Sequence, residues 1–162
     1  MIVVTGAAGQ LGGQVVDTLA NLVDPHGVGV SVRDPDQVEG LADRGIRVRR
    51  GDYDDLASMI AAFEDADQVL IVSANKLGKE ARRLPRSAIE AARSAGACRI
   101  LYTSHMGARI GSSFAPADQH AGTEGRPREY WCPVHIASPR LLRRKLSANG
   151  GRRASAGRPA RS

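Results

Sequence analysis

Residues 1–12 read MIVVTGAAGQLG, and this stretch decides the fold. Ile2, Val3 and Val4 form a short apolar run that stops at Thr5 and Gly6, the pattern of a buried strand ending in a tight turn. Gly6, Gly9 and Gly12 then fall at GxxGxxG spacing, while Leu11, Val15, Val16, Leu19 and Leu22 recur on one helix face. Strand, glycine turn and helix in direct succession form a dinucleotide-binding start. Glycine permits the sharp turn at Gly6 and the approach of a pyrophosphate near Gly9, and Gly12 lets the helix pack close to the sheet. The backbone around Ala8, Gly9, Gln10 and Leu11 then offers helix N-terminal N–H groups to the anion. The same string in isolation is an ordinary strand-to-helix turn, and its context makes it informative.

Working outward, the alternation repeats. VGVSV at Val28–Val32 reads as a strand, and Val38 and Leu41 sit on a short helix after it. IRV at 46–48 is followed by a helix carrying Leu56, Met59, Ile60 and Phe63, then by the apolar run VLIV at 69–72. Residues 81–95 form a helix whose apolar face is Leu84, Ala88, Ile89 and Ala92, stopped by Gly96. A fifth strand spans Arg99–Thr103. About five strands alternating with helices predict an α/β fold: a doubly wound parallel sheet of Rossmann type.

The end of the second strand discriminates between dinucleotides. A carboxylate there holds the ribose 2′-OH of NAD, whereas arginine accommodates the 2′-phosphate of NADP. Arg33 favours NADP(H), and Asp34, one step later, keeps NAD(H) possible.

TGAAGQLG, VRDP, GDYDD at 51–55, VSAN at 72–75 and YTS at 102–104 together resemble the NmrA-like atypical short-chain dehydrogenase/reductases, of the NAD(P)H:quinone oxidoreductase type. The likeness runs over residues 1–124, with ADQHAGTE at 117–124 matching a helix start of the family. It implies that Asp52 and Tyr53 lie beside the adenine, and that Ser73, Ala74 and Asn75 cover the ribose and diphosphate. It also implies hydride transfer from NADPH to a small quinone-like acceptor. A non-catalytic NADP(H) sensor acting through a partner is the alternative, since some NmrA-like proteins are of that kind.

Catalytic constellations are mostly missing. Classical short-chain dehydrogenases pair Tyr with Lys four residues on, but Tyr53, Tyr102 and Tyr130 are followed at that offset by Ala57, Met106 and Val134. A quinone that takes hydride directly from a nicotinamide needs orientation more than a side-chain acid. Ser104, His105 and His120 fall near the nicotinamide end as possible hydrogen-bond donors, read as polar loop residues rather than as catalytic ones. His120 and Glu124 share a helix face, but two ligands are too few for a zinc site, so no metal is expected.

Composition bounds the rest. With 162 residues, 42% hydrophobic and 25% charged, the chain is of single-domain size and globular make-up. No apolar run approaches the roughly 20 residues of a membrane helix, and MIVV is too short for a signal-peptide core. Cys98 and Cys132 give no disulfide framework, and a cytoplasmic location is expected.

The net charge of +6 is unevenly divided. Residues 1–124 carry 13 Lys and Arg against 16 Asp and Glu, whereas 125–162 carry 10 against 1 and hold four of the eight prolines. An NAD(P)-binding domain over 1–124, joined to a basic, disordered tail over 125–162, is expected. The tail could neutralise nucleic-acid phosphates, and RRAS at 152–155 resembles a basophilic kinase site, but a nucleic-acid partner is not expected. Codons for 129–146 read one nucleotide later permit STGVPFTSLRHGFYAES, similar to the family's sixth strand and the start of its substrate-binding region. The tail is therefore expected to be an out-of-frame or truncated form of that region, with activity impaired.

Overall fold

The structure, a computed structural model, describes residues 1–74, 76, 78–124 and the backbone of 134–137. Six strands form one parallel sheet: β1 (Ile2–Thr5), β2 (Val28–Val32), β3 (Arg47–Arg50), β4 (Gln68–Ile71), β5 (Arg99–Thr103) and β6 (Val134–Ala137). Their spatial order is β3-β2-β1-β4-β5-β6. The order reverses between β2-β1 and β4, which places a ligand crevice at the carboxyl ends of these strands. Helices α1 (Gln10–Leu22), α2 (Gly40–Asp43), α3 (Leu56–Ala62), α4 (Lys79–Ser94) and α5 (Ala115–Glu124) carry the chain between strands.

Strand alternation divides the core in two. Val3, Val69, Ile71, Ile100 and Tyr102 pack with Met59, Phe63, Ala88 and Ile89 of the α3–α4 layer. Val4, Val28, Val30 and Val32 pack instead with Val16 and Ile46, backed by Val15, Leu19 and Leu41. Val3, Val4, Val16, Val28 and Val69 are completely buried, each stabilising the fold by about 1.5–3 kcal/mol. Two members of the expected α1 face depart from it: Leu11 and Leu22 are exposed. Both sit at helix ends, where the stripe has run past the sheet.

The basic segment requires one correction. Val134–Ala137 is a strand, β6, paired in parallel with β5 from Ile100↔Val134 to Thr103↔Ala137, so the sheet has six strands rather than about five. VHIA alternates β-branched residues, and the prolines on either side, Pro133 and Pro139, suit a short strand at a sheet edge. The other residues of 125–162, with the disorder and the shifted reading expected for them, lie outside the described residues.

Candidate functional site

The carboxyl ends of β1, β2 and β3 open on a cleft of about 270 Å³. Gly6, Ala8, Arg33, Asp52, Tyr53 and Ala74 line it, joined by Asp34, Gln37 and Lys76. The glycine turn forms one wall. Gly6 adopts φ +66°, a left-handed conformation that favours glycine, and its N–H donates to the Ser31 carbonyl at 3.1 Å. Gly9 N–H donates back to Gly6 O at 3.0 Å, and Gly13 N–H to Gly9 O at 2.9 Å begins the ladder of α1. Gly9 caps the helix without a side-chain bond, and the first turn carries no acidic residue. The N–H groups of Gln10, Leu11 and Gly12 thus present an uncompensated positive helix end. Gly9, Gln10 and Leu11 form this helix start and are not among the residues lining the cleft. Gly12 serves the turn more directly than the sheet, since a Cβ there would stand 2.2 Å from the Gly6 carbonyl oxygen.

Arg33 stands exposed on the cleft with no ion-pair partner among the described residues. Asp34, by contrast, accepts a hydrogen bond from Gln37 Nε2 at 3.1 Å. Asp52 serves its own loop: Oδ1 accepts from Asp54 N–H at 3.0 Å, and its N–H is held by Ser58 Oγ at 3.0 Å. Gly51, within GDYDD, carries no sequence signal of its own, yet a Cβ there would meet the buried Ser31 Oγ at 2.1 Å and Met59 Sδ at 3.1 Å.

Tyr53 knots the cleft floor together. Its hydroxyl donates to the Val72 carbonyl at 2.8 Å and, with that proton committed, accepts from Thr5 Oγ1 at 2.6 Å. Thr5 Oγ1 in turn accepts from Val72 N–H at 2.9 Å. Burial pushes the Tyr53 phenol up to about 12, against the opposing effect of Thr5, so it stays protonated at neutral pH. The phenol is a structural tie, with the ring lining the cleft.

A second cavity of about 280 Å³ adjoins the first through Ala74 and Lys76, which line both. Ser73, Tyr102, Gln119 and His120 complete its polar lining. Ser73 N–H donates to Thr103 Oγ1 at 2.9 Å, tying the loop after β4 to β5. Asn75 lies outside the described residues. Lys76, an exposed lysine between the two cavities, carries no sequence signal beyond that of a loop residue. Ser104 donates to Glu124 Oε1, and the His105 ring packs against Phe114 with centroids 5.5 Å apart. Of the three polar residues expected at this end, His120 alone lines the second cavity; its Nδ1 lies 2.9 Å from the Tyr102 hydroxyl. Burial, and then the neighbouring His105, hold the His120 imidazole below its ordinary value. Burial also pushes Tyr102 up to about 12. No group of three metal-ligating side chains occurs among the described residues. Among these residues no helix is long and apolar enough to cross a membrane.

A switch-point cleft with a left-handed glycine turn, an unshielded helix start and an unpaired arginine is built for a doubly anionic nucleotide. A family model described as NAD(P)H-binding matches residues 6–136. The chain belongs to this NAD(P)H-binding family. Quinone oxidoreductase 2 of Escherichia coli is 38% identical over 124 residues, covering 76% of this chain and 43% of that protein. An NmrA-like family domain-containing oxidoreductase of Aspergillus flavus is 30% identical over 104 residues, 62% of this chain and 34% of that one. The chain thus spans less than half the length of these curated relatives. Among solved structures, Citrobacter sp. triphenylmethane reductase complexed with NADP(H) superposes with TM-score 0.80 at 32% identity, covering 85% of this chain and 49% of that one. The Escherichia coli NADPH-dependent quinone oxidoreductase complexed with NADPH gives 0.78 at 30%, covering 93% and 55%. The resemblance to NmrA-like atypical short-chain dehydrogenase/reductases of the quinone oxidoreductase type is thereby upheld.

Proposed function

We propose that this chain holds NADP(H) at the glycine turn and in the first cleft, and that its reaction is hydride transfer to a quinone-type acceptor. The observation that carries the reading is Arg33. It is a cation without a partner among the described residues, at the strand end where a 2′-phosphate falls, while the neighbouring Asp34 carboxylate is engaged by Gln37. Two relatives crystallised with NADP(H) or NADPH support the same choice. In this reading Gln10 and Leu11 contribute backbone N–H groups to the pyrophosphate, Asp52 and Tyr53 flank the adenine, and Ser73, Ala74 and Asn75 follow the ribose and diphosphate. When bound, the reduced nicotinamide supplies the hydride. The protein supplies position and charge; burial raises both described phenols to about 12, so neither is a phenolate base at neutral pH and each is a weaker acid than a free tyrosine.

Residues 1–124 form the cofactor domain in this reading. The cytoplasm is the compartment implied. A non-catalytic sensor of NADP(H) acting through a partner is the second reading, and the missing Tyr–Lys pair suits it no better than it suits direct hydride transfer to a quinone.

The test is titration of NADPH and NADH into the chain and into Arg33→Ala. A charge-assisted bond at an exposed site is worth about 1–2 kcal/mol, so NADPH should bind about 5- to 30-fold more tightly than NADH, and the variant should lose that margin. Equal affinities in the parent chain would overturn the assignment. NADPH oxidation with duroquinone separates the enzyme from the sensor.

A further inference from the structure

We propose that the second cavity seats the acceptor ring, and that His120, oriented by Tyr102, carries at Nε2 the proton which the acceptor oxygen takes up. The inference rests on the quinone-reductase reading and deepens it by naming the residue that touches the acceptor.

The Tyr102 hydroxyl lies 2.9 Å from His120 Nδ1, and the hydrogen between them can sit on either partner, so Nδ1 is engaged and Nε2 is the ring nitrogen left for the cavity. Protonation places an N–H on both nitrogens, Nε2 included. The cavity is roomy enough for one ring, with Ala81 and Pro116 as its apolar lining, and it joins the cofactor cleft at Ala74.

The titratable groups around His120 are Tyr102 on β5, Lys76 after β4, His105 after β5 at a ring-centroid distance of 6.2 Å, and Glu124 on α5, itself held by Ser104. Burial and His105 weaken proton binding at His120, so its imidazolium surrenders a proton more readily than free imidazolium. The balance closes. The acceptor gains two electrons and one hydrogen from the reduced nicotinamide, gains the second proton from His120 Nε2, and leaves as hydroquinone. His120 returns to its neutral form and recovers its proton from water.

The experiment uses the full chain loaded with NADP⁺ and titrated with duroquinone, two oxidised partners that do not react. NMR of the four histidine rings is the readout. Duroquinone should move the His120 resonances, and its affinity should rise about tenfold as the pH falls from roughly 8 to 5.5, since the charged imidazolium is a stronger donor at Nε2 than the neutral ring. His120→Gln should bind NADP⁺ unchanged and lose that pH dependence. Tyr102→Phe should change the balance of Nδ1–H and Nε2–H forms of His120 read from its ¹⁵N pattern, a change that loss of packing alone does not produce. If NADP⁺ binds but duroquinone leaves His120 unmoved, or His120→Gln keeps the pH dependence, this inference falls while the cofactor reading stands. If NADP⁺ does not bind, both fall.

Discussion

Tyr53→Phe removes one oxygen and tests whether the cleft floor is tied as described. The phenol donates to Val72 O at 2.8 Å and accepts from Thr5 Oγ1 at 2.6 Å. The substitution deletes both bonds and leaves the Val72 carbonyl short of a donor, while Val72 N–H keeps its 2.9 Å bond to Thr5. Two neutral bonds at about 1 kcal/mol each, with one half-buried acceptor left unpaired, give a destabilisation of about 1–3 kcal/mol. For a chain of this length that is a fall in Tm of about 3–10 °C. The assay is urea unfolding at neutral pH, where the midpoint should drop at constant slope. Thr5→Val strikes the same knot, so the double variant should lose less than the sum of the two singles, by at least about 0.5 kcal/mol. Strict additivity, or an unchanged midpoint in Tyr53→Phe, would refute the description of the knot.

Gly12→Ala should prevent stable folding, because its Cβ would stand 2.2 Å from the Gly6 carbonyl oxygen. Gly9→Val brings its Cβ to 3.3 Å from the same oxygen, a tight contact at the N-cap that should lower the melt by a few degrees without unfolding the chain, while NADPH binding is lost in a fluorescence titration. Tyr53 and Tyr102, both raised to about 12 from an ordinary 10, place their stabilisation below pH 10 and lose it as pH rises towards 12. Absorbance at alkaline pH should therefore show these phenols ionising late and together with unfolding; ionisation near pH 10 in the folded chain would contradict the burial.

What the sequence made legible is chemistry that the backbone performs locally. The turn at Gly6, the helix start at Gly9 and the apolar runs of β1, β2, β4 and β5 are properties of a few neighbouring residues, and spacing alone exposes them. Arg33 was legible for a related reason: it follows directly on the last strand residue, Val32, so its place at the cleft follows from the strand's end. β6 was not legible. VHIA is four residues long, bracketed by prolines and set in a basic stretch, so no local pattern outweighed its surroundings, and its pairing with β5 is a contact across more than 30 positions.

The side-chain chemistry of the site escaped for the same physical reason. Tyr53, Thr5 and Val72 belong to three segments, as do Gly51 and Ser31 to two, and nothing in any one segment announces the bond or the clash that joins it to the others. His120 illustrates the limit most clearly. On its own helix it pairs by spacing with Glu124, which invites a search for a metal, yet Glu124 is taken by Ser104 and His120 by Tyr102, both reached only through the parallel sheet. The helix spacing is real, but the partners come from β5 and the loop after it. A residue of this kind acquires its role when strand order brings the carboxyl end of β5 beside the crevice at β1 and β4, so its function is a property of topology before it is one of sequence.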